Sequence, residues 1–246
     1  MQNSVTVALS RMMAMQHAIE VTATNIANAN TPGYKAERMQ FADWLTPQNG
    51  TAYPRGGRTI ASTTLRATYR DVRNGTLTQT GNPLDFAISG PGYFTVNTPR
   101  GPRLTRAGHF SLAPDGTIVD DEGNPLLDAN GQQLQVTTTD AHLSLTSNGL
   151  LSSDGGVIGQ IGVVSPQDLR QITPEGGKLY NTQSPTNPVA QPKIVQGALE
   201  ESNVEPVSEL TTLLTTQRQF DLAAQLAQQE YTRQMSAIDK ILTPGA

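Results

Sequence analysis

The hydrophobic pattern divides the chain into two helical ends and a strand-rich middle. Near the start, apolar residues recur every three or four positions, which is the spacing of one helical face. These positions are Val5, Leu9, Met12, Ile19, Ala23 and Ile26, with Gln16 as a polar interruption. The pattern predicts a helix over residues 4–30, because Pro32 and Gly33 follow directly.

The C-terminal segment repeats this pattern over a longer stretch. Asn203 is a suitable N-cap, and Pro206 is tolerated in a first helical turn. The nearly heptad positions that follow are Val207, Leu210, Leu214, Gln217, Phe220 or Asp221, Ala224, Ala227, Tyr231, Met235, Ile238 and Leu242. Two apolar stripes without a domain of their own need partners. We therefore predict that the helices over 4–30 and 205–242 pair with each other and with copies on neighbouring subunits.

Between the helices the hydrophobic period changes to two, which is typical of β-strands. The candidates are Leu84–Ile88, Tyr93–Val96, Arg103–Ala107, His109–Leu112, Thr117–Val119, Leu126–Leu127, Leu134–Thr137, Leu143–Leu145 and Val157–Val164. Glycine- and proline-containing turns separate them roughly every 8–12 residues, a spacing that favours a small sandwich or barrel. The pattern argues against a βαβ enzyme.

These elements together predict an α+β fold, with long N- and C-terminal helices that pair as a coiled coil and a central all-β domain. The predicted segments are an N-terminal helix over 1–33, a connector over 34–80, the β-domain over 81–182, a return connector over 183–204 and a C-terminal helix over 205–246. Within the first connector, Met39, Phe41, Trp44 and Leu45 predict a short apolar turn. Residues 46–64 predict an extended, flexible linker.

The amino-acid composition excludes several classes of protein function. The 246 residues carry a net charge of −4, and the 17 lysines and arginines are dispersed, unlike those of a nucleic-acid binder or a polybasic anchor. The chain has no cysteine, which excludes disulfides and thiolate chemistry. No segment approaches the roughly 20 apolar residues of a membrane span. Arg11, Gln16 and His17 interrupt the pattern of a secretory signal, so export would need a route without signal cleavage.

The candidate chemistry is sparse, and we predict no catalytic, cofactor-binding or metal site. His17, His109 and His142 are far apart and form no metal-binding pattern. The acidic run at residues 120–124 fails the calcium-loop spacing and predicts a solvated turn. Gly90-Pro91-Gly92 lacks the third glycine of a dinucleotide loop and also predicts a turn. In glycoside hydrolases the fold sets the distance between the two catalytic carboxylates, so sequence spacing does not reveal such a pair. No pattern in this sequence favours one.

The asparagines Asn25, Asn28 and Asn30 are unusual, because asparagine is a mediocre helix former. Their amides can bond across helices or cap carbonyl groups at the helix end. A fraying polar helix end is the alternative. We predict that the subunit interface includes Val5, Leu9, Met12, Ile19, Ile26, Asn25, Asn28, Asn30, Val207, Leu210, Leu214, Gln217, Ala224, Tyr231 and Ile238.

Three motifs resemble the bacterial flagellar rod and hook family, and they follow the family's order. The first is NIANANTPGYK at 25–35, the second is LDFAISGPGYF at 84–94 followed by LTRAGHF at 104–110, and the third is GALEESNVEPV at 197–207 followed by QRQF at 217–220. They span nearly the whole chain. The opening ALSRMMAMQ and the modest length are most similar to proximal-rod members, with distal-rod members as the alternative and hook members less similar.

The resemblance implies a structural subunit of the basal-body rod that crosses the periplasm, and no enzymatic activity. It implies export through the flagellar type III apparatus and polymerisation, with itself and other rod subunits, into a hollow shaft that transmits motor torque. The terminal helices would then line the inner wall, and the β-domain would form the outer layer. The remaining alternatives are a secreted polysaccharide hydrolase with helical oligomerisation arms and a trimeric surface adhesin.

Overall fold

The computed structural model describes residues 2–47, 59–137, 142–176 and 178–242, and its side chains within 8–40, 67–137, 142–176 and 178–237. The chain forms two compact units. Unit 1 contains residues 1–27, 37–69 and 205–246, and unit 2 contains residues 28–36 and 70–204. The fold is therefore α+β, with a β-rich central region and a helix near each end.

Unit 1 contains two helices and a two-stranded sheet. Helix α1 spans Gln2–Ala27 and α2 spans Pro206–Leu242, while the strands are β1 at Glu37–Pro47 and β2 at Thr59–Arg70. Helix α1 ends before the predicted residue 30. Asn28 instead starts a turn, in which its backbone carbonyl accepts from the Thr31 amide at 3.1 Å and its side-chain oxygen accepts from the Thr31 hydroxyl.

The prediction for the first connector was wrong over much of its length. The apolar turn expected around Met39–Leu45 is part of strand β1, and the ends of the expected 46–64 linker lie in β1 and β2. Residues 48–58 lie outside the described residues. The threonine-rich sequence of β2 was interpreted as linker because it is polar, although threonine is enriched in strands.

Unit 2 consists of short strands that pair with antiparallel neighbours. Its largest sheet has the order β13-β14-β6-β5-β12-β15, and smaller sheets have the orders β11-β10-β9, β16-β4, β17-β3 and β7-β8. The strands are β3 Leu77–Gln79, β4 Phe86–Ile88, β5 Tyr93–Thr98, β6 Gly101–Thr105, β7 Ser111–Leu112, β8 Ile118–Val119, β9 Leu143–Leu145, β10 Leu150–Ser153, β11 Gly156–Gln160, β12 Val163–Pro166, β13 Ile172–Pro174, β14 Leu179–Thr182, β15 Thr186–Pro188, β16 Ile194–Gln196 and β17 Ala198–Glu200. A 3-10 turn covers Leu169–Gln171.

The period-two pattern located β4 to β9, β11 and β12, but its candidates do not include β3, β10, β13 or β14. The predicted strand at 157–164 is split between β11 and β12. The predicted return connector at 183–204 contains β15, β16 and β17, which pair with β12, β4 and β3. Strands β15 to β17 have three residues each, so their alternation is too short to be recognised.

The core of unit 2 is formed by buried side chains from many of these strands, including Phe86, Phe94 and Phe110. The Phe94 and Phe110 rings meet edge to face at 5.6 Å. Gly108 permits this packing, because a Cβ atom there would lie 1.6 Å from the Phe86 carbonyl oxygen. Unit 2 therefore has a hydrophobic core of its own.

Candidate functional site

The two terminal helices pack against each other within unit 1. Asn25, near the end of α1, has its amide nitrogen 3.3 Å from a carboxylate oxygen of Glu209, near the start of α2. Because the end of one helix meets the start of the other, the packed helices run antiparallel. Helix α2 has 37 residues and α1 has 26, so α2 is the longer member of the pair.

Most half-buried positions of α2 form a regular series that shares only Phe220 and Ala227 with the predicted stripe. They recur alternately three and four residues apart, at Leu213, Thr216, Phe220, Ala223, Ala227, Glu230 and Gln234. This is the spacing of a helix face that packs against another helix. We call these residues the α2 seam. The predicted stripe through Val207, Leu210 and Leu214 lies roughly a third of a turn away and is exposed.

Helix α1 covers a corresponding face. Its buried residues include Ala14, Met15, Thr22 and Asn25, and the positions around them at Ala8, Met12, Ala18 and Ile19 are half-buried. Leu9 and Met13 remain exposed by 56% and 58%. The helix therefore buries one side and presents apolar side chains on another.

Helix α2 exposes apolar residues on both flanks of its seam. One flank carries Val207, Leu210, Leu214, Tyr231 and Met235, and the other carries Leu222 and Leu226. Val207 is 80% exposed and Leu226 is 62% exposed. Exposed apolar stripes of this extent mark surfaces for protein–protein contact. Helix α2 thus packs against α1 and leaves apolar side chains exposed on both flanks of its seam.

The predicted interface residues fall into groups of different exposure. Leu9, Asn30, Val207, Leu210, Leu214, Gln217 and Tyr231 are exposed, Met12, Ile19, Ile26, Asn28 and Ala224 are half-buried, and Asn25 is buried. The side chains of Val5 and Ile238 lie outside the described residues. Contact of these residues with another subunit stays a prediction.

Asn25 has a full set of partners within unit 1. Its side-chain oxygen accepts from the Glu37 amide at 2.9 Å, and its side-chain nitrogen donates to the Glu37 carbonyl, also at 2.9 Å. Glu209, which it also contacts, accepts from Arg38 at 2.6 Å. Both Asn25 and Glu209 are buried. The Asn25 amide therefore joins α1 to the start of β1 and to the first turn of α2, where an acidic residue also favours the helix dipole.

Unit 2 contains a buried ionic cluster of Lys35, Arg106 and Glu200, which we call the junction cluster. Glu200 accepts from the Lys35 ammonium at 2.6 Å and from the Arg106 guanidinium at 2.9 Å. It also accepts from the Gly75 backbone amide at 2.9 Å. The three charged side chains are at most 3% exposed. One carboxylate thus holds together parts of the chain that are far apart in sequence.

Asn203 extends this cluster by tying three backbone segments together. Its side-chain oxygen accepts from the Ala36 amide at 2.7 Å, and its side-chain nitrogen donates to the carbonyl groups of Asp71 and Arg73. The predicted N-cap residue of α2 is therefore occupied within unit 2.

Close backbone packing surrounds the same cluster. Gly33 donates its amide to the Glu200 carbonyl at 2.7 Å. It has a φ of +73°, and a Cβ atom there would lie 2.3 Å from the Arg106 backbone. Arg70 donates to the Lys35 carbonyl and stacks on the rings of Tyr34 and Tyr180. Glycine is required at residue 33 because other residues rarely adopt this backbone conformation.

Burial sets the electrostatics of the cluster. Burial lowers the pKa of Lys35, while the hydrogen bond and charge of Glu200 oppose this shift. Burial likewise raises the pKa of Tyr93, and it raises the pKa of Tyr180 to about 12 against the charge of Arg70. A buried charge needs a partner, so Glu200 is the residue that makes burial of both cations tolerable.

Titration of Tyr180 gives a testable alkaline effect. Its pKa is about 12 in the folded chain and about 10 when unfolded, so the folded state keeps a proton that the unfolded state loses. Stability from this group is present below pH 10 and is lost as the pH rises toward 12. We expect Tyr180→Phe to reduce the fall in unfolding free energy between pH 9.5 and 11, by about 1 kcal/mol. Urea titrations of both proteins at the two pH values measure this.

Tyr93→Phe is a second test of the same effect, because burial shifts the Tyr93 pKa in the same direction and its ring contacts that of Tyr180. It should reduce the alkaline loss as well. An alkaline loss that is the same size in Tyr180→Phe as in the unchanged chain would contradict this assignment.

The other polar clusters organise turns. Asp120 accepts from the amides of Glu122 and Asn124, which confirms the predicted turn in the acidic run. His109 lies 2.7 Å from the buried carboxylate of Asp85, which also accepts from Thr80 and Asn82. Among the described residues, no three acidic, histidine or cysteine side chains come together as a metal site would require. No helix in the same residues has the length and hydropathy to span a membrane.

Sequence reasoning missed the junction cluster, although a signal existed. Lys35, Arg106 and Glu200 each lie in a different one of the three motifs that resemble the flagellar rod and hook family. Lys35 and Glu200 are 165 residues apart, so no local pattern connects them.

Comparison with known proteins agrees with this arrangement. Three family models match: "Flagella basal body rod protein" at residues 6–35, "Flagellar hook protein FlgE/F/G D1 domain" at 87–175 and "Flagellar basal body rod FlgEFG protein C-terminal" at 195–239. The junction cluster draws one residue from each matched range. The chain belongs to the flagellar basal-body rod protein family.

Within that family the chain is most similar to FlgF. It is 34% identical to the flagellar basal-body rod protein FlgF of Mesorhizobium japonicum over 97% of both chains, and 34% identical to FlgF of Caulobacter vibrioides over 98% of both. It is also 34% identical to the flagellar basal-body rod protein FlgG of Bacillus subtilis, over 86% of this chain and 89% of the relative.

Proposed function

We propose that the chain polymerises through its two terminal helices into the hollow axial rod of the flagellum. Its family membership makes it a structural subunit of the basal-body rod. The observation that carries the proposal is the exposure of apolar side chains on both flanks of the α2 seam, which α1 leaves uncovered. Burial of the two exposed flanks requires further helices, and other rod subunits supply them.

The pairing of α1 and α2 as a coiled coil is part of this proposal. The alternating three- and four-residue spacing of the α2 seam supports it. Small residues at Ala223 and Ala227 allow close approach of the helices. The predicted interface residues keep their proposed role: Leu9, Val207, Leu210, Leu214 and Tyr231 would contact neighbouring subunits through their exposed side chains.

The proposal includes export of this chain through the flagellar type III apparatus. A long helix gains most of its stability from packing, so terminal helices that lack partners remain weakly stable. Binding to neighbouring subunits then stabilises them by mass action. The chain has no cysteine, so passage to an oxidising compartment carries no risk of mispaired disulfides. The role is structural, and no catalytic step is proposed.

The position in the rod is proposed to be proximal. The FlgF relatives of Mesorhizobium japonicum, Caulobacter vibrioides and Rhizobium meliloti align with 97%, 98% and 90% of the chain, whereas the FlgG relative of Bacillus subtilis aligns with 86%. A distal-rod position is the second candidate, and the FlgG similarity is the observation that favours it.

Deletion of either terminal helix tests the proposal. Removal of residues 2–27 or 207–246 leaves all of unit 2, with its own core, in place. We expect each truncated chain to keep the near-ultraviolet circular dichroism of its packed aromatic residues and to be absent from purified basal bodies. An immunoblot of basal bodies from a strain that lacks the native gene measures incorporation. Functional rods built from either truncated chain would refute the proposal.

A further inference from the structure

The last segment of unit 2, residues 194–204, pairs with strands that lie much earlier in the chain. We call this segment the strap. Its two strands, β16 and β17, pair with β4 and β3. Among the strands that the structure describes, β3 and β4 have no other sheet neighbour. These two strands of unit 2 therefore lack a sheet partner until the strap is in place.

The strap also carries side chains into the interior of unit 2. Ile194 is buried in the main hydrophobic core. Val204 packs with Tyr34 and Ala36 in a smaller core. Ala198, which lies between Ile194 and Val204 in the chain, is buried as well. Without the strap, both cores would be open to water.

Hydrogen bonds join the strap to further segments of unit 2. The side-chain oxygen of Gln196 accepts from the Leu145 amide at 3.0 Å. Its side-chain nitrogen donates to the carbonyl groups of Pro83 and Leu143, at 2.8 and 2.9 Å. Backbone groups need such partners when folding removes them from water. One side chain of the strap thus satisfies backbone groups from two distant segments.

The strap supplies the negative charge of the junction cluster. Its Glu200 carboxylate lies 2.6 Å from the Lys35 ammonium and 2.9 Å from the Arg106 guanidinium. Among the described residues, no other carboxylate forms an ion pair with either cation. A chain without the strap would have to bury both cations unpaired or keep them in water, and both alternatives oppose folding. Folding of unit 2 therefore depends on the strap for charge as well as for packing.

The strap is also synthesised long after the residues that it joins. Glu200 follows Lys35 by 165 positions. Because a chain grows at about 5–20 residues per second, the delay is about 8–30 s. A hairpin forms in only about 1–10 μs. The earlier strands would have ample time to fold during synthesis if they were stable without the strap.

We propose that the strap closes unit 2 last and that residues 28–193 stay unfolded until it docks. The strap then sets the time of folding, because the pairing of β3 and β4, the two cores and the ionic cluster are all completed in one step. This inference rests on the proposed function, in which the chain is exported. Delayed folding keeps the newly made chain unfolded and hence able to enter the export apparatus.

Two fragments that together contain the whole chain test this inference. Fragment 1–193 ends before the strap, and fragment 194–246 carries the strap and α2. We expect fragment 1–193 alone to lack the near-ultraviolet circular dichroism of the packed aromatic rings and to be digested rapidly by a protease. Addition of fragment 194–246 should restore the spectrum of the intact chain and slow the digestion several-fold.

Three altered C-terminal fragments separate the strap from α2. Fragment 207–246 lacks the strap and should not restore the spectrum. Fragment 194–246 with Glu200→Gln should bind fragment 1–193 more weakly, by roughly 100-fold or more, because it leaves two buried cations unpaired. The matched change Glu201→Gln, at the exposed neighbouring residue, should leave binding unchanged. Isothermal titration calorimetry measures the dissociation constants.

Two results would overturn the inference. If fragment 1–193 alone shows the spectrum and protease resistance of the intact chain, unit 2 folds without the strap. If fragment 194–246 restores neither property, the strap does not close unit 2 by docking. Both results leave the rod assignment in place, because that assignment is judged by incorporation of the intact chain into basal bodies. Absence of the intact chain from basal bodies would refute the proposed function and leave the fragment result unchanged.

Discussion

Replacement of Glu200 by glutamine will lower the free energy of unfolding by about 3–5 kcal/mol, because it leaves two buried cations without a counter-charge. The Glu200 carboxylate accepts from Lys35 and Arg106, and all three side chains are nearly inaccessible to water. Glutamine has a similar shape, so loss of packing contributes little to the change. Urea denaturation of the full chain, followed by circular dichroism, measures the difference.

Glu201→Gln is the matched control, because Glu201 is the next residue, is exposed, and accepts one hydrogen bond from the Thr78 hydroxyl. Its effect should stay within about 0.5 kcal/mol, as is usual for surface positions. Lys35→Met in the Glu200→Gln background removes one of the stranded cations and should recover part of the loss. Equal stabilities of Glu200→Gln and Glu201→Gln would show that the ionic cluster does not stabilise unit 2.

The second large effect concerns assembly. The double change Leu210→Gln and Leu214→Gln will remove the chain from basal bodies and leave the stability of the isolated chain nearly unchanged. Both leucines are about half exposed on α2, so they contribute little to the isolated fold. Their burial against a neighbouring subunit would contribute about 1.5–3 kcal/mol for each side chain. Incorporation is measured by immunoblot and stability by thermal unfolding.

Two comparison variants separate the exposed flank from the α2 seam. Phe220→Ala removes a half-buried seam residue and should destabilise the isolated chain by about 1–3 kcal/mol. Leu112→Gln changes a similarly exposed leucine in unit 2 and should alter neither incorporation nor stability. Normal incorporation of the Leu210 and Leu214 double variant would mean that this flank of α2 is not a subunit interface.

These variants also distinguish residues that stabilise one chain from residues that are proposed to contact another chain. The junction cluster stabilises unit 2 within one chain, through Glu200 and the amide of Asn203. The exposed flanks of α2 are proposed to act between chains.

The sequence predicted both helices and most strands of unit 2, because each depends on a local period of apolar residues. It missed β1, β2, β3, β10, β13, β14 and the strands between residues 183 and 204. Their polar or very short segments are held by pairing with distant partners, as β16 is by β4. Strand formation of this kind depends on context more than on propensity.

The order of the three motifs was enough to determine the family, since each motif can be recognised without reference to the others. The sequence by itself also determined that apolar residues recur along the whole length of α2. A helix with such a stripe needs a packing partner. Only the tertiary structure decided which face α1 covers, because a helix with apolar residues on more than one side offers no periodic reason to choose one. The junction cluster likewise arose only on folding, since Lys35, Arg106 and Glu200 meet across separations that no sequence period spans.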